Sequence, residues 1–327
     1  MKLHEDKILF ADIIARAAEH PSQGGLGIPQ QFIEKDYWIT NALRNLAESQ
    51  YADDVVFKGS TSLSKAYHIG MLLSNNIDIA IRGEELSDAK LKTIILSTEK
   101  SLSKDVEEIN HPQASKGSTY SKTFYSYPLL QNSALIQGVD RGQLLFNINS
   151  KANSYPYHKI KIHSFVHDYL TMVMAGNLIE EFGLKPFEIN VLDKRVTLTE
   201  KIVSLIRYSL AENYLPELEA KIRNFYDIYY LMQDPECVEY ICSDDFINSF
   251  VKILKHERVL FDTPSGWRKR VIRNSPLVTD FENIWNKLKK RYETELPPLV
   301  YSLSIPGADQ IGECMSKIIE IVKEIDI

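Results

Sequence analysis

KGSTSLSKAYHIGMLLSNNIDIAI, residues 58–81, is the stretch from which the rest of the chain can be read. The residues leading into it, VVFK (55–58), predict a short buried strand. Gly59 and Ser60 turn the chain, and TSLSKAYHIG predicts a helix. NIDIAI (76–81) alternates polar and apolar residues, the pattern of a half-buried strand. Gly59 has no Cβ, so the backbone there can approach a ligand closely. The unbonded amides of the first helical turn, with the helix dipole, favour an anion. Lys58 and the hydroxyls of Ser60 and Thr61 can contribute to holding phosphate oxygens. Taken alone, the same residues are also a good helix cap.

The second half of the segment favours the phosphate reading. Asn76 and Asp78 stand two apart on the predicted strand, so their side chains leave the same face. Two carboxylates so placed hold Mg²⁺, which takes oxygen ligands and substrate phosphates. A pair of such ions stabilises the attacking and leaving oxygens of an in-line displacement. Here only Asp78 is a carboxylate. Asn76 offers a neutral amide oxygen and no negative charge, which lowers metal affinity.

Outward from this segment, the N-terminal half mixes helices and strands. Apolar spacing predicts helices over 4–20, 31–49 and 87–104, with Phe32, Ile33, Trp38, Ile39, Leu43 and Leu46 on one side of the second. Strands are predicted at 105–109, 118–127, 143–149 and 158–164, and 187–193 reads as one more strand or an extended link. Beyond about residue 164 helices dominate, at 165–181, 197–212, 217–233, 244–255, 281–292 and 309–325. The fold class expected is α+β with a mixed sheet, followed by a mainly helical domain. The two domains are placed at 1–180 and 181–327.

The chain has 327 residues, 44% hydrophobic and 25% charged, enough for one large or two modest domains. Its net charge is −6, so any nucleic-acid contact must come from a local patch. Three cysteines, Cys237, Cys242 and Cys314, do not make a disulfide framework and fit a reducing compartment. The charged N-terminus is unlike a signal peptide, and no apolar run is long enough for a bilayer. These features together predict a soluble, cytoplasmic protein with no membrane partner.

With these residues in view, the chain resembles a known family. A Gly-Ser turn followed by an acid-x-acid strand is the signature of the polymerase-β-like nucleotidyltransferases. More closely, the chain is similar to the AbiEii-type nucleotidyltransferase toxins of bacterial abortive-infection and toxin–antitoxin systems. EKDYWIT (34–40) looks like that family's helix before the first strand, and FKGSTSLSKAY (57–67) like its KGGT-x-L segment. SNNIDIAI (74–81) stands where the family usually reads S-E-D-I-D-L. TLTEKIVSLIR (197–207) resembles its Lys-x5-Arg helix, and KIRNFYDIYYL (221–231) its Lys-x-Arg-x-x-Tyr-Asp motif.

The resemblance implies transfer of a nucleotidyl group from a nucleoside triphosphate, with Mg²⁺, to an RNA acceptor such as the 3′ end of tRNA. It also implies a neutralising antitoxin. Gly59 and Ser60 would cradle the triphosphate, and Asp78 with Asn76 would bind the metal. Lys201 and Arg207 would neutralise phosphate charge. Asp227 would position Lys201 or help to activate the acceptor hydroxyl. The resemblance further implies a site in the cleft between the two domains.

The departures from the family pattern are specific. Position 76 is Asn rather than Asp, position 75 is Asn rather than an acid, and position 72 is Leu where Arg is common. The nearest candidates for a third carboxylate, Asn147 and Asn149, are also amides. Asn76 is then an engineered inactivation, a natural feature of a weak enzyme, or a mark of lost catalysis. The survival of Gly59, Ser60, Asp78, Lys201 and Asp227 favours the first. Rival functions are a non-catalytic nucleotide- or partner-binding protein, and nucleotidyl transfer to a protein side chain.

Several motifs also have plainer readings. Lys201 and Arg207 are six apart and can be a solvated helix face. Asp227 can pair with Arg223 one turn away, and Thr197-x-x-Glu200 fits a capping box. Tyr226, Tyr229 and Tyr230 read as packing residues, and His163 and His167 as a packed or exposed pair. The basic runs WRKRVIR (267–273) and Lys287, Lys289, Lys290 and Arg291 are solvated charges or contacts to an RNA backbone.

Overall fold

The computed structural model describes residues 1–72, 74–83, 86–130, 142–302 and 304–325. Leu73, within the 58–81 stretch, lies outside the described residues. The chain divides into two compact units, Met1–Leu192 and Asp193–Ile327.

The first unit runs α1 (Lys7–Ala17), α2 (Gln30–Ala47), β1 (Val55–Lys58), α3 (Gly59–Ala66), β2 (Asn76–Ile81) and α4 (Asp88–Leu102). It continues with β3 (Glu107–Ile109), β4 (Ser115–Lys116), β5 (Tyr120–Ser126), β6 (Gln143–Asn149) and β7 (Tyr157–Ile162), then α5 (Phe165–Met172), α6 (Gly176–Glu181) and β8 (Phe187–Leu192). Among the described residues the eight strands form one sheet in the order β3-β5-β6-β2-β1-β8-β7, with β4 on β5. The sheet is mixed: β2 runs parallel to β6 and β1 parallel to β8, while β1 and β2 are antiparallel.

Strand alternation gives the sheet two unlike faces. Phe57, Ile79 and Ile148 share one register row, and Ile77 and Phe146 another, and all are buried. The opposite face carries Lys58, Asn76, Asp78, Asn147 and Asn149, all only part-buried. The apolar face lies toward α4, which packs on β2 and β6.

α2 departs from the one-sided pattern expected for it. From Gln31 to Leu43 every residue is buried, including Glu34, Lys35 and Asp36. Charges removed from water on all sides require partners, and all three residues have them.

The helix expected over 165–181 is two helices, because Met174 between them takes a left-handed conformation (φ 57°). The first unit ends with β8. That strand pairs along its length with β7 and also meets β1, which binds it to the sheet.

The second unit is mainly helical. It comprises α7 (Lys194–Ser209), α8 (Tyr214–Glu219), α9 (Ile222–Leu231), α10 (Pro235–Ile241), α11 (Asp244–Leu260), α12 (Pro276–Thr279), α13 (Phe281–Glu295) and α14 (Ala308–Lys323). α7 begins three residues before the predicted Thr197. Asp193 caps it by accepting from the Arg195 amide, and Thr197 is an interior residue bonded back to the Asp193 carbonyl. α13 and α14 approach closely at Gly312, where a Cβ would stand 2.8 Å from the Trp285 ring. The same indole donates to the Ala308 carbonyl at 2.9 Å. No described helix is long and apolar enough to cross a membrane.

Candidate active site

The register of four adjacent strands builds a polar row across the open sheet face. Lys58 on β1 pairs with Asp78 on β2, Asp78 with Asn147 on β6, and Asn147 with Lys122 on β5. Partners at one register position project to the same side. The row therefore reads Lys58, Asp78, Asn147, Lys122, with one carboxylate between two lysines and an amide beside it.

Asp78 is held from two sides. Its Oδ1 accepts a hydrogen bond from Asn147 Nδ2 at 2.8 Å. Its Oδ2 lies over Gly59, 2.5 Å from where a Cβ on that residue would stand. Gly59 also has φ +77°, a conformation that L side chains rarely adopt. The glycine thus permits both the turn into α3 and the close approach of the carboxylate. Tyr120, at the register position of Asn149, is near enough that Asp78 adds to burial in raising the pKa of its phenol.

The three small residues after Gly59 divide their roles. Ser60 is part-exposed at the start of α3. Thr61 was expected to reach phosphate, but its hydroxyl is buried and donates to the Asn76 carbonyl at 2.6 Å, fastening α3 to β2. Ser62 donates to the Gly59 carbonyl at 2.8 Å and stabilises the turn.

A protein-held pair of magnesium ions calls for several carboxylates, and the residues present do not meet that need. Asp78 is the single acid of the row. Asn147 turns its amide nitrogen toward Asp78, and its Oδ1 is buried without a hydrogen-bond partner. Among the described residues no three His, Cys, Asp or Glu side chains lie together as a metal cluster. The donor set suits an anion flanked by ammonium groups better than a metal pair.

The EKD run of α2 braces this site from behind. Lys35 donates to Asn75 Oδ1 at 2.5 Å, fixing the turn that enters β2. Asp36 accepts from Lys65 Nζ at 2.6 Å and from the Phe165 amide at 2.7 Å, which ties α3 to α2 and α5. Lys65 also donates to the His163 carbonyl at 2.5 Å. Glu34 accepts from the Leu130 amide at 2.9 Å. His163 meets Asp168 at 2.7 Å, with its ring 4.9 Å from that of His167.

In the second unit Lys201 on α7 and Asp227 on α9 form a buried ion pair at 2.6 Å. Lys201 also reaches Asn224 Oδ1 at 3.4 Å. Arg207, six residues further along α7, is bonded to Glu257 at 3.0 Å and lies over the rings of Tyr208, Phe261 and Trp267. Its charge is therefore engaged inside its own unit. In the 267–273 run, Arg268, Lys269, Arg270 and Arg273 are exposed. Trp267 is buried and donates to the Phe261 carbonyl, as does Arg268, and Arg270 donates to the Leu210 carbonyl. On α13, Lys287, Lys290 and Arg291 are exposed, and Arg291 pairs with Glu295.

The sequence profile of the family described as "Nucleotidyl transferase AbiEii toxin, Type IV TA system" matches residues 41–313. The chain belongs to the AbiEii nucleotidyltransferase toxin family. Its fold is likewise similar to solved structures at low identity. One is JHP933 from Helicobacter pylori, at 10% identity, covering 91% of this chain and 94% of that one with a TM-score of 0.47. Another is the nucleotidyltransferase toxin MenT4 (Rv2826c) from Mycobacterium tuberculosis H37Rv, at 12% identity, covering 96% and 99% with a TM-score of 0.47. No curated protein sequence matches.

In this AbiEii-family chain, two residues near Asp78 carry no motif signal in the sequence. Lys122 and Tyr120 belong to no quoted motif, and only the pairing of β5 with β6 carries them to the side of Asp78. The alternation of YSKTFYS offered a partial signal, since it separates Tyr120 and Lys122 from the buried Ser121 and Thr123.

Proposed function

We propose that the sheet face around Asp78 takes a nucleoside triphosphate and that the chain transfers its nucleotidyl group to an RNA acceptor, such as the 3′ end of a tRNA. As written, the chain does so slowly. The observation that carries this reading is the Asp78 carboxylate seated over Gly59 at the start of α3. Such a turn leaves backbone amides facing an anion with a carboxylate beside them.

The reaction is an in-line attack of the acceptor hydroxyl oxygen on the α-phosphorus, with pyrophosphate leaving. Most of the catalysis in such a reaction comes from position and charge. Gly59 and Ser60 cradle the phosphates, and Lys58 faces them from the register position beside Asp78. Asp78, the acid of the row, takes the proton of the attacking hydroxyl, and Asn147 orients its carboxylate. Asn76 contributes an amide oxygen from the same strand face. Lys201 carries the cationic role that the family resemblance assigns to it, with Asp227 holding its ammonium group in place. Magnesium arrives as part of the substrate, complexed to the triphosphate. A cognate antitoxin restrains the activity, in keeping with the type IV toxin–antitoxin family, and the cytoplasm is where these substrates are found.

The structure bears on the origin of Asn76. A single engineered change at position 76 leaves Asn147 unaccounted for, although it is the residue bonded to Asp78. Two amides flanking one acid support a natural reduction of the acid set. The same hydrogen bond favours a second reading, nucleotide binding without transfer.

The test is incubation of the wild type and Asn76→Asp with each labelled nucleoside triphosphate, and with bulk tRNA or bulk protein as acceptor. The expected result is label on RNA, raised by about tenfold or more in Asn76→Asp, the range over which one charged group commonly acts. Nucleotide binding with no label on any acceptor in either protein selects the binding reading. Label on protein alone overturns the RNA acceptor.

A further inference from the structure

We infer that this face binds the triphosphate by charge pairing with Lys58 and Lys122, without needing a divalent ion held by the protein. The inference rests on the triphosphate reading above and specifies how that ligand is held.

The register supplies the argument. Lys58 is one strand from Asp78 and Lys122 is two strands away on its other side, with Asn147 between. Strands lie about 4.8 Å apart, so the two ammonium stems rise about 5 Å and 10 Å from Asp78 on the same face. On the four strands β1, β2, β6 and β5, the titratable groups of this face are Lys58, Asp78, Lys122 and the neutral phenol of Tyr120. Two ammonium groups against one carboxylate leave a formal charge of +1.

A site with three carboxylates repels a metal-free triphosphate, and metal is then the obligatory bridge between like charges. Here Asn76 and Asn147 remove two of those charges, and lysines stand at both ends of the row. Lys122 is placed to turn toward a ligand. It is only half-buried, and its hydrogen bond to Gln113 Oε1 is long at 3.3 Å. A charge-assisted bond to phosphate is shorter and stronger than that contact.

The experiment is calorimetric titration of the full chain with ATP, CTP, GTP and UTP, each in EDTA and again in excess magnesium. For the nucleotide bound best, Kd is expected to differ by less than about threefold between the two conditions, and the metal-free Kd to weaken with added salt. Lys122→Gln is expected to weaken metal-free binding about fivefold or more, with Lys122→Arg retaining it. The Asn76→Asp/Asn147→Asp double variant is expected to lose about tenfold or more in EDTA and to recover it in magnesium. Far- and near-ultraviolet circular dichroism checks that each variant is folded. Wild-type binding that requires magnesium, or unchanged metal-free binding by folded Lys122→Gln, overturns this inference and leaves the triphosphate reading standing. Absence of nucleotide binding in both buffers overturns the two together.

Discussion

Asp78 Oδ2 occupies the space beside Gly59 in which a side chain would have to begin, 2.5 Å from the position of a Cβ. Gly59→Ala therefore meets two obstacles at once. The left-handed backbone costs about 1–2 kcal/mol for a residue with a Cβ, and the new methyl group drives the Asp78 carboxylate from its seat. Urea unfolding is expected to show a loss of at least that size. Calorimetry is expected to show nucleotide affinity falling further than stability alone explains. An alanine variant with wild-type nucleotide affinity would mean that the carboxylate does not need this seat.

Asp36 and Lys65 form a buried ion pair that fixes α3 to α2. Removing one partner leaves an uncompensated charge in a water-poor site. Asp36→Ala is expected to cost about 3–5 kcal/mol in a urea titration, while Asp36→Leu with Lys65→Met recovers most of it. Equal stability of the single and double variants would show that the pair is not coupled.

Arg207 separates two roles for a cation of α7. Its guanidinium is bonded to Glu257 and stacked against Tyr208, Phe261 and Trp267. Arg207→Lys keeps the charge but loses the planar fork and the stacking, and is expected to lower stability by about 1–3 kcal/mol. If nucleotide Kd, measured under conditions where the variant is fully folded, stays at the wild-type value, the role is structural. A weakened Kd restores the phosphate role implied by the family resemblance.

Asp105 sets an acid limit on the N-terminal attachment. Burial pushes its carboxyl up, but hydrogen bonds from Lys2, Asn45 and Asn41 outweigh this and hold it at about 2. A carboxyl depressed on folding stabilises the folded state above its unfolded pKa of about 3.9, and that contribution fades as pH falls toward the folded value. The difference in urea midpoint between wild type and Asp105→Asn is therefore expected to be full at pH 5 and to shrink between about pH 4 and 2. A difference that is flat across this window would rule out the linkage.

Local pattern alone made much of the fold readable. The apolar run VVFK, the Gly-Ser turn and the alternation of NIDIAI each follow from interactions within a few residues, and the two strands stand where they place them, while the helix between takes in Gly59 and Ser60 and ends at Ala66, before His68 turns left-handed. The order of motifs around it was enough to indicate the family. Pattern failed where burial is set by distant segments. α2 reads as amphipathic, yet its polar side is buried too, because Asn75, Lys65, Leu130 and the Phe165 amide supply partners for its charges.

The division between sequence and structure is sharpest at the site. The sequence alone determined that one carboxylate, Asp78, follows a Gly-Ser turn and that Asn stands two residues before it, since both are facts of composition and spacing. Only the tertiary structure decided what surrounds that carboxylate. Strand register, set by hydrogen bonding between segments far apart in the chain, brought Asn147 and Lys122 to its side. Helix packing turned the Thr61 hydroxyl inward to the Asn76 carbonyl. A lone acid with an amide and two lysines around it is a different electrostatic object from the pair of acids that the motif leads one to expect. The difference arises because a strand's neighbours, unlike its own residues, are chosen by the fold.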